Sequence, residues 1–597
     1  MEGRRGGQAG CRYKTHGSRA RSAMQERSVI LPAMPNLDTR RERLFFWLTA
    51  FVLLFAGLGL RDPWPADEPR FALVARQMVE SGQWLFPMRG DELYPDKPPL
   101  LMWLQAVFLS TTGSLRLSFL LPTLLASLGT LALVRDLGRR LWNAEAGAYA
   151  SWALLFALQF TFQAKRAQID PLVVFWITLS VYGLLRHLLR GPAAAWWYLG
   201  WAAAGLGVIS KGVGVVALLV LLPAAFAWGR RWPGIGRVRG REWLGGVAML
   251  LLPVLLWLAP MLLAVKASGD PLMQGYADNI LLKQTAQRYA NAWHHHQPWY
   301  YFLVVMATQW LPAVAAVPFV APRWREALKA RDARVLLPLG GVALIVLFFS
   351  LSSGKREVYI LPALPLLCLA MGPWLGDVVG RRGVRAGAFV AAVLFALSLL
   401  VAGLAVVLGQ PGFEARLAAI RGTVDGDALG AMLAVIGGVG LFAALALRPK
   451  RGVAALHAVI AALWLGYSFI GYPLLNDASS ARGLMRASGE RIGPDAELAL
   501  VAWKEQNLLM ADRPARTFGF KRDNAGQLRD ARAWQAERPQ TRWLLIEDDA
   551  LDDCIDDSHA IDMGVYNRRR WLLLPAAATR PGCVPTPGSA APGELTE

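Results

Sequence analysis

Thirteen apolar runs of 17 to 23 residues, separated by short polar segments, constrain this chain more than any other feature of its sequence. They fall at 44–60, 117–134, 144–162, 170–189, 194–210, 212–229, 243–264, 299–321, 335–351, 358–375, 386–408, 428–447 and 453–472. As helices rising about 1.5 Å per residue, such runs match a hydrocarbon layer about 30 Å thick. With 597 residues, 55% of them hydrophobic, and a mean hydropathy of +0.34, a water-soluble fold has nowhere to hide this surface. The expected fold is an all-α polytopic membrane protein of about 13 transmembrane helices.

The formal charge of +20 would by itself suggest a nucleic-acid partner, but its distribution argues against one. The basic residues sit in short clusters between the runs, as the positive-inside rule requires of cytoplasmic loops. Arg40, Arg41 and Arg43 place the amino end inside. Alternation then makes cytoplasmic the loops carrying Arg135, Arg139 and Arg140; Arg186 and Arg190; Arg230 to Arg241; Arg323 to Arg334; Arg381 to Arg385; and Arg448 to Arg451. An odd number of spans leaves the carboxyl end outside. Nucleic-acid binding, secretion and a simple soluble enzyme are excluded on this pattern.

Four regions follow. Residues 1–43 read as a basic cytosolic tail without stable structure, 44–475 as the membrane-embedded part, 476–575 as a small exterior α/β domain, and 576–597 as a disordered Pro/Ala/Gly-rich end. In the exterior loop after the first span, residues 70–79 and 98–108 are amphipathic, predicting helices that lie along the membrane surface. Four cysteines are too few for a disulfide scaffold or a Cys-based metal cluster. Cys554 and Cys583 share the exterior region, where a disulfide and two free thiols are both compatible with their spacing; Cys368 reads as packing.

A transporter needs ionisable groups at mid-depth facing a pathway. The spans lack them except for His457, which reads as a packed residue. Polar residues crowd instead at the outer span ends. The first exterior loop carries Asp62, Asp67, Glu68 and Arg70, then Asp91, Glu92, Tyr94, Asp96 and Lys97. Asp67 and Glu68 have an alternative role as helix-capping acids. Two prolines after Lys97 stiffen it into a fixed phosphate contact. Further exterior ends add Lys165, Arg166 and Asp170; Lys211; Lys283, Arg288, His294, His295 and His296; and Lys355, Arg356 and Tyr359. Exterior cations that run against the positive-inside trend need an anion, and a lipid-linked phosphate or pyrophosphate supplies one. Each alone would serve equally as a headgroup anchor. Anchoring, however, gives no reason for the interleaved Asp67, Glu68, Asp96 and Asp170.

In order, the chain reads Pro65-Ala66-Asp67-Glu68-Pro69-Arg70, Ser81-Gly82-Gln83-Trp84, Tyr94-Pro95-Asp96-Lys97-Pro98-Pro99-Leu100, Arg116-Leu117, Asp170-Pro171, Ser210-Lys211-Gly212, His295-His296-Gln297-Pro298-Trp299-Tyr300 and Ser353-Gly354-Lys355-Arg356 up to Tyr359. This ordered set, over roughly residues 44–475, resembles the membrane-embedded glycosyltransferases of GT-C type that use polyprenyl-phosphate sugars. The nearest branch is the lipid A aminoarabinose transferases, with protein O-mannosyltransferases more distant. The resemblance implies an inverting glycosyltransferase in the bacterial inner membrane, amino end cytoplasmic and carboxyl end periplasmic. It would take a sugar from undecaprenyl phosphate, with 4-amino-4-deoxy-L-arabinose passing to lipid A at the periplasmic face. Asp67 would be the acceptor-side carboxylate, Asp170 its companion, and Glu68 a holder of the loop. Lys97, Arg288, Lys355, Tyr359 and Lys211 would bind the donor phosphate. No cofactor is required, although Asp96 and His295 are ligand types suited to a divalent metal, with ordinary hydrogen bonding the alternative. Asp96 stands where the aminoarabinose enzymes usually carry Glu.

Competing readings are a transferase for exported proteins or another envelope glycan, a lipid-linked sugar flippase or transporter, and a structural or sensor protein anchored by its spans. The first would share the exterior loop; the second would need polar residues at mid-depth; thirteen spans weigh against the third.

Overall fold

The computed structural model describes residues 40–281, 296–352, 354–409, 412, 416, 424–580, 582 and 583. Lys283, Arg288, His294 and His295, most of the amino-terminal tail and the last fourteen residues lie outside the described residues.

The chain enters through α1 (Arg40–Phe55). After a short loop come α2 (Glu68–Ser81), a hairpin of β1 (Met88–Arg89) and β2 (Glu92–Leu93), and α3 (Leu100–Thr112). The two loop helices thus form where the amphipathic pattern puts them. Pro69, whose fixed φ suits a first helical turn, opens α2, and Gly82 closes it at φ +71, a left-handed conformation that costs glycine nothing. Contrary to a simple surface-lying helix, α2 is buried on most sides, through Phe71 to Ala75 and Met78. The reason is that the C-terminal region covers its outer face: Arg76 donates to the Leu508 and Leu509 carbonyls at 3.2 and 2.9 Å.

The membrane part continues with α4 (Leu121–Leu141), α5 (Ala144–Phe156), α6 (Leu158–Ala164), α7 (Ile169–Arg190) and α8 (Ala194–Lys211). A 3-10 segment (Gly214–Val220) leads into α9 (Leu221–Gly229), followed by α10 (Gly240–Ser268). Then come α11 (Tyr301–Gln309), α12 (Val317–Lys329), α13 (Ala333–Ser350), α14 (Ala363–Gly380), α15 (Arg382–Val407), α16 (Gly426–Leu447), α17 (Gly452–Gly466), α18 (Tyr472–Ser480) and α19 (Arg482–Ile492).

Eight helical stretches among the described residues are long and apolar enough to cross a membrane, or nine if the bent pair at 301–329 counts as one. That makes the chain a multi-pass membrane protein. All thirteen apolar runs are mainly helical, but hydropathy does not register breaks. The run at 144–162 is split at Ala157, whose backbone is extended at φ −66 and ψ 122. The freed amide of Leu158 donates to the Leu311 carbonyl at 2.9 Å. The run at 299–321 bends by 95°. Helix α1 has only 16 residues, α8 carries three tryptophans, and the run at 212–229 begins as 3-10 helix.

Small residues let neighbouring helices meet closely, as is usual in membranes. At the α7–α8 crossing, a Cβ on Gly200 would come 2.9 Å from the Ser180 carbonyl, and one on Gly183 would clash with the Trp196 carbonyl. His457 stacks on Phe156 with ring centroids 4.0 Å apart, and Cys368 is fully buried, so both pack as expected.

Beyond the spans lies a five-stranded mixed sheet. Its strands are β3 (Glu497–Val501), β4 (Ala515–Arg516), β5 (Arg542–Glu547), β6 (Ile561–Tyr566) and β7 (Arg569–Leu574), in the order β4-β3-β5-β7-β6. Strands β4, β3 and β5 run parallel, and β7 and β6 are antiparallel additions. The connections after β3 and β4 contain α20 (Glu505–Met510) and α21 (Asn524–Glu537). Continuous apolar stretches in β3 and β5 are buried, as parallel strands covered on both faces require. Cys554 and Cys583 are joined in a disulfide, their Cα atoms 5.6 Å apart, which decides between the two alternatives their spacing left open.

Candidate functional site

The loop between α1 and α2 begins with two charges taken wholly out of solvent. Arg61 is 2% exposed and lies about 5 Å from the ring centroids of Trp64, Phe119 and Tyr472. It forms a bidentate pair with Glu68, with Nη2 to Oε1 at 2.8 Å. Glu68 is 1% exposed and also accepts from the amides of Trp64 and Ala167 at 2.8 and 2.9 Å. Burial pushes the Glu68 carboxyl up, but Arg61 and the Trp64 amide more than reverse this and hold it below the usual carboxylate range. With its lone pairs occupied, Glu68 welds the first loop to the 165–168 turn.

Asp62 is the second buried charge. It accepts from Arg116 at 2.9 and 3.0 Å, from Arg482 at 2.5 and 2.7 Å, and from Asn476 at 2.8 Å. Its own amide donates to Asn476 Oδ1 at 2.7 Å. Burial works against its charge, but these donors bring it down to about 2, so it remains a carboxylate at any ordinary pH.

Asp67 sits between these fixed groups and is held differently. It occupies the residue before α2, yet its side chain caps no amide. It accepts from Gln168 Nε2 at 3.2 Å. Its nearest cations among the described residues are Arg356 Nη2 at 3.7 Å and Arg70 Nη1 at 3.9 Å. It therefore faces positive charge without being clasped by it, and its side chain keeps 19% exposure.

Asp170, in the first turn of α7, and Lys211, the last residue of α8, pair at 2.5 Å. Lys211 Nζ also stands 5.1 Å over the Tyr359 ring. The guanidinium of Arg356 feels both Asp67 and Asp170. One group therefore unites Asp67, Asp170, Lys211 and Tyr359, four of the residues singled out in the sequence, and adds Arg356. Arg356 had stood only as one cation in a motif; its two carboxylate neighbours come from segments 186 and 289 positions away.

The remaining candidates divide. Lys355 is buried and donates to the Gln297 carbonyl at 3.1 Å, anchoring the segment that pairs His296 with Gly354. Lys97 lies half-buried next to Asp96 and helps hold that carboxylate charged. Asp96 ion-pairs with Lys521 at 3.4 Å and Arg89 at 3.7 Å, and although burial opposes its ionisation these cations hold it below the usual range. What Asp96 would offer a divalent ion is engaged by protein cations, and its expected companion His295 lies outside the described residues, as does Arg288. Among the described residues the one group of three metal-type side chains is Asp552, Asp553 and Cys554, and Cys554 is bound in the disulfide. Lys165, expected among the phosphate-facing cations, turns inward: its Nζ donates to the carbonyls of Leu53, Leu54 and Ala56 at 2.8 to 3.2 Å and caps the end of α1. Its neighbour Arg166 lies over the Phe162 ring.

An open cluster of this kind can do two things. Cations at Lys211 and Arg356, with the Tyr359 ring beside them, can take the charge of a phosphate; a carboxylate held at arm's length can receive or orient an acceptor.

Comparison with known proteins follows the same line. A family profile described as dolichyl-phosphate-mannose-protein mannosyltransferase matches residues 96–257. An undecaprenyl phosphate-alpha-4-amino-4-deoxy-L-arabinose arabinosyl transferase of Pseudomonas aeruginosa is 32% identical over 369 residues, 58% of this chain and 63% of its own length. Its namesake in Pectobacterium atrosepticum is 30% identical over 393 residues, 61% of this chain and 67% of its own length. The match thus spans just under two thirds of the Pseudomonas relative. Among solved structures, ArnT from Cupriavidus metallidurans bound to undecaprenyl phosphate shares the fold, with a TM-score of 0.67, 20% identity, and coverage of 90% of this chain and 99% of that one.

Proposed function

Since the chain belongs to the family of undecaprenyl phosphate-aminoarabinose arabinosyl transferases, membrane glycosyltransferases of GT-C type, we propose that it transfers 4-amino-4-deoxy-L-arabinose from undecaprenyl phosphate to lipid A. The reaction takes place at the periplasmic face of the inner membrane and inverts the anomeric carbon. In this reading the chain makes 13 membrane passages, with its amino end cytoplasmic and its C-terminal α/β unit periplasmic. The observation that carries the proposal is the exterior cluster of Asp67, Arg356, Asp170, Lys211 and Tyr359, which joins a loosely held carboxylate to phosphate-binding groups.

The chemistry follows from charge. An acceptor oxygen attacks the anomeric carbon, the bond from that carbon to the phosphate oxygen breaks, and the electron pair leaves with undecaprenyl phosphate. Lys211, Arg356 and Tyr359, together with Lys97, Lys355 and Arg288, stabilise the charge on the departing phosphate. Lys211 exchanges its contact with Asp170 for the donor phosphate, which turns Asp170 toward the acceptor side. Asp67 orients the acceptor and takes its proton where the acceptor is a hydroxyl. A lipid A phosphate is already anionic, and there Asp67 acts by positioning.

Mass spectrometry of lipid A from a strain lacking this gene tests the proposal. Loss of a pentosamine from the lipid A phosphates, restored by the gene on a plasmid, is the expected result. Unchanged lipid A with an altered envelope glycan or exported glycoprotein would overturn the acceptor assignment. The proposed chemistry uses no metal, so prolonged dialysis against a chelator is expected to leave turnover in proteoliposomes unchanged. Loss of activity that zinc or another divalent ion restores would contradict that.

A further inference from the structure

Glu505 is a buried carboxylate with no assigned role. It opens α20, beyond the last membrane helix, yet its side chain points into the exterior loop. It pairs with Arg70 Nε at 2.9 Å and stands 3.6 Å from Arg89 Nη1, with its side chain 6% exposed and those of the two arginines 12% and 3%. Arg70 lies one helical turn after Asp67, and its Nη1 is 3.9 Å from that carboxylate. The guanidinium therefore stands between two carboxylates and is committed to the one from the C-terminal unit.

We infer that Glu505 is a positioning residue for the exterior site, withholding Arg70 from Asp67 so that Asp67 faces the acceptor. This rests on the reading of Asp67 as the acceptor-side carboxylate. Several observations point the same way. The grip on α2 is repeated six residues later, where Arg76 donates to the Leu508 and Leu509 carbonyls of α20. Lys521 from the same C-terminal unit reaches Asp96, which Arg89 also approaches. Helix α20 is fixed at its start, where the Asn507 side chain accepts from the Lys504 amide at 3.0 Å, so the carboxylate is presented from a rigid turn. In the absence of Glu505, Asp67 is the nearest carboxylate left to Arg70. A partly buried guanidinium that has lost its partner closes on the one that remains. The result would be an ion pair across the face that must meet the acceptor. Glu505 touches no reacting atom; its influence passes through Arg70.

Two measurements on the full-length protein in detergent or proteoliposomes test this. In steady-state assays Glu505→Gln is expected to lower kcat about tenfold while the KM values for donor and lipid A stay within twofold. Adding Arg70→Gln is expected to recover kcat to within threefold of wild type, because the released Arg70 guanidinium is then gone and Asp67 keeps only the 3.7 Å approach of Arg356 that it has in the wild type. A double variant as slow as the single one, or a change confined to KM, would overturn the inference, since a purely architectural role predicts no recovery. Independently of the sugar transferred, hydrogen exchange read by mass spectrometry is expected to quicken in the peptide covering residues 64–72 of Glu505→Gln. It should not do so in Glu497→Gln, whose carboxylate pairs with Arg538 and Arg542 in the sheet. Equal exchange in the two variants would also overturn it. A wild-type enzyme that transfers no aminoarabinose would refute the proposed function, while the exchange comparison would still decide the link between Glu505 and the Asp67 loop.

Discussion

Replacing Asp67 by Asn is expected to reduce turnover by about 10²–10⁴-fold for a hydroxyl acceptor, the range over which a positioned acid or base acts. Protein yield, detergent behaviour and undecaprenyl phosphate binding are expected to stay near wild type. The structure explains why the effect falls on chemistry. Asp67 is held by one amide at 3.2 Å and by cations no nearer than 3.7 Å, so the isosteric amide removes a charge without stranding a buried partner. With a phosphate acceptor the loss lies at the lower end of that range, because orientation is then all the carboxylate supplies. An Asp67→Asn enzyme with normal turnover in proteoliposomes would remove Asp67 from the site altogether.

The adjacent residue is expected to behave in the opposite way. Glu68→Ala leaves Arg61 charged, 2% exposed and deprived of its bidentate partner, and it frees the amides of Trp64 and Ala167. Removing one member of a fully buried pair costs about 3–5 kcal/mol. That is a large part of the roughly 5–15 kcal/mol by which folded proteins exceed their unfolded state. The expected outcome is aggregated or degraded protein and a sharply lowered thermal midpoint in detergent, with donor binding and turnover lost together. A Glu68→Ala protein that is stable and monodisperse but inactive would place Glu68 in the chemistry with Asp67. Two adjacent acids, indistinguishable as letters, are thereby assigned to different tasks by what surrounds them.

The membrane character of the chain was legible because composition and run length are local properties, and so were the two loop helices, whose apolar spacing is local as well. The breaks inside the apolar runs were not. Ala157 breaks a run with no proline or charge to mark it, and the 95° bend near Trp310 lies within a continuous apolar stretch. In the site, Asp67, Asp170, Lys211 and Tyr359 emerged from an ordered motif set, and the fold brings them to one place. Lys165 could not be told from them, because a lysine that caps a helix through three carbonyls looks the same in sequence as one that faces a phosphate. Glu505, Asn476 and Arg482 leave still less trace. Each acts on a residue hundreds of positions away, and nothing in a local pattern of charge says which distant carboxylate an arginine will meet.

The node around Asp62 also bears on when the loop around Asp67 takes its shape. Asp62 is made early, and the Asn476 and Arg482 side chains that enclose it are encoded 414 and 420 positions later. At about 5–20 residues per second, the ribosome needs about 20–80 s to supply them. During that interval most of the helices can already be inserted, while the loop bearing Asp67 still lacks the Asn476 and Arg482 contacts to Asp62. A half-made chain would therefore hold Asp62 without its full set of partners, and that node would close only when α18 and the start of α19 arrive.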